Sequence, residues 1–160
     1  MKGVARLLYI SSNAERGGVE TVLCNLVKYH DREHYRLSVL FLRDGPLVEE
    51  FRRLGIQVFL IKTGRFSQVF RSIFTILKIR RLVINEDIDV VFSQLAMAHL
   101  YGGLAAKLSD RKCIWYQHVA GTEFNWLNRL ALRIKADMIF VNSAFTERSL
   151  RKAGIGRQRT

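Results

Sequence analysis

Apolar runs of strand length alternate with segments of helical period along nearly the whole of this 160-residue chain, and that alternation is the strongest limit on its fold. Val4-Ala5-Arg6-Leu7-Leu8-Tyr9-Ile10 reads as a buried strand, closed by the polar Ser11-Ser12-Asn13. Beyond Gly17-Gly18, apolar residues fall at Val19, Val22, Leu23, Leu26 and Val27, one face of an amphipathic helix. Tyr35 to Leu42 is the next apolar run. Pro46 then stands at a first helical position, with Glu49 and Glu50 in the opening turn and Gly55 past the end. The pattern predicts strands over 56–61, 88–93, 112–118 and 138–142. It predicts helices over about 68–85, 98–108 and 122–136. Ser143 is placed to cap a last helix that reaches Lys152 and stops at Gly154.

Strands and helices in alternation imply a parallel sheet with helices on both faces. Val90-Val91-Phe92 and Met138-Ile139-Phe140-Val141 are apolar on consecutive positions, as strands covered on both sides must be. The expected fold is α/β: a Rossmann-like three-layer α/β/α sandwich with a mostly parallel sheet of about six strands. Residues 1–155 read as one domain and 156–160 as a frayed tail, with no repeat or linker between.

Composition narrows the function. One proline, 11 glycines and a hydrophobic share of 49% exclude a disordered or collagen-like chain. The balance of 26 basic against 14 acidic residues gives a net charge of +12, which attracts polyanions such as phosphate ligands or anionic lipid. Nucleic acid is not expected as a partner, because neither an RNA-stacking motif nor a zinc-finger pattern is present. Cys24 and Cys113 form no disulfide framework and fit a reducing compartment, the cytoplasm. No apolar stretch is long enough to span a bilayer, so a soluble or peripheral protein is expected.

In sheets of this kind ligands bind beyond the carboxyl ends of the strands, where strand order reverses. The loop from Ser11 to Gly18 follows the first strand. Gly17 and Gly18 let a ligand approach the backbone at a helix N-terminus, and Arg16 adds a full charge. A turn that needs glycine for its backbone angles alone would look the same. The dinucleotide fingerprint and the Walker loop are both absent. His118 ends the fifth strand, and Gln94 and His99 follow the fourth, so all three are candidates for the same rim. Each histidine could equally be a structural hydrogen-bond partner. No metal set, nucleophile elbow or close carboxylate pair appears.

Two helices suggest surface roles. Arg71, Lys78 and Arg81 lie beside an apolar stripe of Phe70, Ile73, Phe74 and Leu77. Farther on, Phe124, Leu127, Leu130 and Ile134 form a core face. Trp126, Arg129 and Arg133 share another, a combination suited to a lipid interface or simply to solvent.

Leu7-Leu8-Tyr9-Ile10 with Arg16-Gly17-Gly18-Val19-Glu20 resembles the opening of the family 4 glycosyltransferases, which have the GT-B fold. Trp115-Tyr116-Gln117-His118 resembles the family strand that ends in an active-site histidine, although Val119 rather than glycine follows it here. Phe140-Val141-Asn142-Ser143-Ala144-Phe145 and Leu150-Arg151-Lys152-Ala153-Gly154 resemble the close of the family's N-terminal domain. The resemblance implies an acceptor-binding half of an enzyme that moves a sugar from a nucleotide-sugar donor to a glycan or lipid-linked acceptor. Such enzymes usually retain configuration, use no metal and need no cofactor. It implies that His118 contacts the transferred sugar and that Gly17 and Gly18 line the cleft near the donor phosphates. By strand-end position, Asn13, Arg16, Gln94 and His99 are assigned to the acceptor rim. The donor-binding C-terminal half has no counterpart in the sequence, so the isolated chain is expected to be inactive and to need a partner half. The family also works at the cytoplasmic membrane surface, which makes an anionic membrane a further expected partner. A peripheral or regulatory binding module that kept this fold is the alternative.

Overall fold

A computed structural model describes residues 4–64, 69–118 and 126–152. The elements run β1 (Ala5–Ser11), α1 (Gly18–Tyr29), β2 (Tyr35–Phe41), α2 (Pro46–Arg53), β3 (Gln57–Leu60) and α3 (Val69–Asn85). They continue with β4 (Val90–Gln94), α4 (Leu95–Leu108), β5 (Lys112–Gln117), α5 (Trp126–Ala131), β6 (Met138–Val141) and α6 (Ala144–Lys152). The six strands form one sheet in the order β3-β2-β1-β4-β5-β6, and every pairing is parallel. The chain builds outward from β1 to β3, then returns to place β4 on the other side of β1. The order therefore reverses between β1 and β4, where Leu8 is paired with both Ser38 and Val91.

Alternation along each strand divides the core between the two faces. Tyr9, Val39 and Phe41 meet Leu23 and Val27 of α1 and Leu47 and Phe51 of α2. Leu8, Ile10, Leu40 and Val91 meet Ile79 and Val83 of α3 and Tyr101 and Ala105 of α4. Farther along that second face, Trp115 and Ile139 pack against Leu100, Ala131 and Ile134. Helix α4 sits close to the sheet because Gly102 gives it room. A Cβ there would stand 2.7 Å from Ile10 Cδ1.

The expected elements are present, with shifts at the start of α4 and the end of α5. Pro46 opens α2, and Gly55 follows it at φ 75°, in the left-handed region that glycine tolerates. Ser143 Oγ accepts the Thr146 amide at 3.1 Å, capping α6. Helix α4 begins at Leu95, three residues before the sequence pattern places it, because Leu95 turns the chain at φ 62° directly off β4. Helix α5 ends at Ala131, earlier than its period suggests. Phe124, Gly154 and the 156–160 tail lie outside the described residues. Among the described residues no helix is long and apolar enough to cross a membrane.

Candidate functional site at the strand-order reversal

The carboxyl ends of β1, β4 and β5 carry an aromatic and polar cluster on the α1 side of the sheet. Tyr9 stacks on Phe92 with ring centroids 4.9 Å apart. Phe92 meets the edge of Tyr116 at 6.1 Å, and Tyr116 lies 3.9 Å from His118. Phe92 and Gln94 alternate with Ser93 along β4, as Tyr116 and His118 alternate with Gln117 at the end of β5, so one face collects them. Gln94 is buried, and its Nε2 donates to the Val19 carbonyl at 2.7 Å, tying β4 to the first turn of α1.

Three polar atoms of this cluster are buried without a partner among the described residues: Tyr9 Oη, Gln94 Oε1 and His118 Nε2. A buried polar atom left unpaired costs on the order of 1–3 kcal/mol, so a group of them marks a place where selection has favoured something other than stability. The same atoms on Trp115 (Nε1) and Gln117 (Oε1) are also unpaired, but they belong to the opposite face, where Gln117 Nε2 donates to Asn128 Oδ1 at 2.8 Å. Burial, with Tyr116 and Glu20 nearby, raises the Tyr9 phenol well above its ordinary range. Burial lowers His118, so its imidazole is neutral near pH 7 and can donate from one nitrogen and accept at the other.

The loop before α1 forms the adjoining wall. Gly17 is the N-cap of the helix and makes no side-chain cap bond, and Gly18 is the first helical residue. A Cβ on Gly18 would meet nothing within 4 Å, so packing does not require glycine there. A Cβ on Gly17 would stand 2.7 Å from Glu20 Oε2, because the buried Glu20 folds back over it. Bare backbone, free amides and the positive end of α1 together suit an anionic ligand. Asn13 is half-buried, and its Oδ1 accepts the Ala14 amide at 3.1 Å. Arg16 reaches away to α2, where its Nη2 bonds both Glu50 oxygens at 2.7 and 2.8 Å. The pair is exposed and worth at most about 1 kcal/mol.

His99 corrects the sequence expectation. It is fully buried between α4 and β5 and does not reach the rim. Its Nδ1 meets Ser93 Oγ at 2.9 Å, its Nε2 meets the Ile134 carbonyl at 3.0 Å, and its ring lies on Trp115 at 4.6 Å. The cause is the early start of α4. It puts His99 more than one turn into the helix, on the face that packs against the sheet. Tyr9, Glu20 and Tyr116 were not singled out from the sequence as site residues. A tyrosine or glutamate at an otherwise apolar buried position was the available signal.

Trp126, Arg129 and Arg133 are all exposed, as their shared face implied. Both cysteines are free. A hollow of about 780 Å³ opens at the far end of the sheet, among Arg6, His30, Arg36 and Asp89, remote from the cluster. The exposed trio Asp31, Glu33 and His34 lies toward that end as well.

The sequence pattern of Glycosyltransferase Family 4 matches residues 16–160. A putative glycosyltransferase of Bacillus subtilis (strain 168), EpsF, is 28% identical over 145 residues, covering 86% of this chain and 37% of EpsF. The lipopolysaccharide outer core galactosyltransferase WaaB superposes with a TM-score of 0.76 at 15% identity, over 94% of this chain and 43% of WaaB. Anabaena HepE, crystallised with UDP and glucose, gives 0.72 at 18% identity, over 92% of this chain and 41% of HepE. A UDP-N-acetylglucosamine 2-epimerase shares the fold at 0.67 and 12% identity, so architecture alone does not separate transfer from epimerisation. The chain spans about two-fifths of the length of the proteins it matches. The family match runs from the glycine loop through the histidine strand to residue 160, and on that match the chain belongs to Glycosyltransferase Family 4.

Proposed function

We propose that this chain is the acceptor-binding half of a glycosyltransferase that moves a sugar from a nucleotide-sugar donor to a glycan or lipid-linked acceptor. The observation that carries the reading is the buried set of unpaired atoms, Tyr9 Oη, Gln94 Oε1 and His118 Nε2, at the reversal point beside Gly17 and Gly18. Sugars are dense in hydroxyl groups, and hydroxyls both donate and accept. A set of unpaired donors and acceptors against an aromatic wall is chemically matched to them. His118 contacts the transferred sugar, while Gly17 and Gly18 admit the donor phosphates to the positive end of α1. Asn13, Gln94 and, once released from Glu50, Arg16 edge the acceptor side.

A second half supplies most of the donor site, in keeping with the two-fifths span against relatives such as HepE. The isolated chain therefore does not turn over, and the reaction is expected to run without a metal. A cytoplasmic location goes with a nucleotide-sugar donor and with two free cysteines.

The test joins this chain to the C-terminal half of EpsF and measures sugar release from UDP-sugars. His118→Ala should reduce turnover on the order of 10²-fold, the cost of losing one positioned transition-state contact, with the melting temperature unchanged. Unchanged turnover would remove His118 from the site, and collapse of the fold would return it to a structural role.

A further inference from the structure

The amino edge of the sheet, opposite the candidate site, gathers arginines that no carboxylate neutralises. Arg6 of β1 lies in register beside Arg36 of β2. Arg6 alternates toward Leu8 and Arg36 toward Leu40, both in the core on the α3 side, so the two side chains leave the same face of the sheet. Neighbouring strands are only about 4.8 Å apart, and like charges side by side on one face destabilise a sheet. An acid between them would relieve the conflict. Yet Arg6, Arg36 and the nearby Arg32 make no ion pair among the described residues.

The acids at this edge are engaged elsewhere. Asp87 and Asp89 line the same hollow, but Arg111 reaches both, at 3.1 and 3.9 Å. The second Asp89 oxygen accepts the Arg6 backbone amide at 2.8 Å, and Glu86 Oε2 accepts Gln57 Nε2 at 2.9 Å. With Arg111 set against the two aspartates, the three lining arginines still leave a surplus of positive charge. Arg6 is also held in place. It is half-buried, and its Nη1 donates to the Glu86 carbonyl, just past the end of α3, at 3.0 Å. A guanidinium fixed by a carbonyl and lacking a counter-ion keeps its other donors for a ligand.

The space and its walls say which ligand fits. The hollow holds about 780 Å³, within the range of small-molecule sites. Guanidinium forks match phosphate oxygens two at a time. Arg6 and Arg36, side by side, suit one phosphate, and Arg32 suits a second. The exposed ring of Tyr35 and the bare backbone of Gly55 border the remaining space, which leaves room for a flat ring attached to the phosphates. The seven residues of β1 span about 20 Å, which sets this hollow apart from the glycine loop at the other end of the strand.

We propose that the amino-edge hollow is a second binding site, taking a diphosphate group with Arg6 and Arg36 on one phosphate and Arg32 on the other. The inference does not depend on glycosyl transfer, and its test reads binding alone. The full 160-residue chain is titrated with inorganic pyrophosphate and, separately, with UDP, and amide shifts are followed by NMR. Saturable shifts of the Gly55 and Leu37 amides are expected, larger than sodium chloride produces at matched ionic strength. Tighter binding of UDP identifies a nucleoside diphosphate as the ligand, and equal binding identifies the diphosphate group alone. Shifts at Gly17 and Gly18 report the glycine loop separately.

Arg32→Gln with Arg36→Gln should weaken the Gly55 response roughly tenfold or more. Arg36→Glu gives Arg6 a carboxylate in register, so it should abolish that response while the melting temperature holds or rises. Thermal melts check that each variant folds, and should one fail to, the other decides. Shifts confined to Gly17 and Gly18 overturn the proposal. So do shifts reproduced by sodium chloride, or an undiminished Gly55 response in the folded variants.

Discussion

Gln94 Nε2 donates to the Val19 carbonyl at 2.7 Å, while Oε1 of the same amide is buried with no partner among the described residues. One half of the side chain therefore locks β4 to α1, and the other half presents an acceptor at the candidate site. The amide is oriented by the bond it makes and made available by the bond it lacks. That combination lets a residue this deeply buried serve a ligand as well as the fold.

Gln94→Glu replaces the donating nitrogen with an acceptor and carries a carboxylate into a buried site. It should cost about 2 kcal/mol or more, read as a lower urea midpoint at unchanged m-value. Gln94→Leu removes the unpaired oxygen together with the bond, so its cost should be about 1 kcal/mol or less. A leucine variant less stable than the glutamate variant would show that the amide is purely structural.

Gly18 and Gly45 should respond in opposite ways. Gly18→Ala places a Cβ in open space in an ordinary helical position, so stability should hold or rise by up to about 1 kcal/mol. In the two-half enzyme the same change should weaken use of the nucleotide-sugar donor. Gly45→Ala puts a Cβ 2.6 Å from the Ala14 carbonyl oxygen, which should destabilise by about 1–3 kcal/mol. Paired thermal melts and donor KM values check both. Loss of stability in Gly18→Ala would mean that the turn itself needs this glycine.

Burial lowers the His99 pKa to about 4, from an ordinary value of 6.5, partly offset by its bond to the Ile134 carbonyl. The unfolded chain takes up this proton at higher pH than the folded one. The stabilising contribution is thus complete above about pH 6.5 and is lost as pH falls toward 4, by about 3 kcal/mol in all. His118, also lowered, acts in the same direction. Urea unfolding from about pH 7 down to about pH 5 should show the falling stability. Histidine NMR should show no titration of His99 across that range, and a His99 signal that titrates near 6.5 would contradict this account.

Gly103 keeps room for that histidine. A Cβ on it would lie 2.9 Å from His99 Cε1 and 3.0 Å from Ile134 Cγ2. Gly103→Ala should therefore cost about 1–3 kcal/mol and disturb the His99 chemical shifts. An unchanged melting temperature with unchanged His99 shifts would refute it.

Much of the fold could be read from the sequence because period, caps and turn residues agree with one another. The run Val4 to Ile10, the stripe from Val19 to Val27, Pro46 before its helix and Ser143 before the last one each pointed to the element observed. The site was harder to read, because burial at a strand end is set by where the next helix begins. Leu95 enters α4 in a left-handed conformation that no residue pattern signals, and this one turn moved His99 from the rim to the interior. Tyr9 looked like one more apolar strand residue until its hydroxyl proved to be unpaired beside Phe92. The stripe on α3 was visible from its spacing. Only the structure shows that the core takes Ser72 and Thr75 and leaves Phe70 and Phe74 outside.

The central claim is that this chain is half of a transferase and becomes active only opposite a donor-binding half. The most direct measurement compares sugar transfer from a panel of UDP-sugars by the purified 160-residue chain and by the same chain joined to the EpsF C-terminal half. The account expects no transfer by the chain alone, transfer by the joined protein, and loss of that transfer in His118→Ala. Turnover by the isolated chain, or a joined protein whose activity is indifferent to His118, would contradict it.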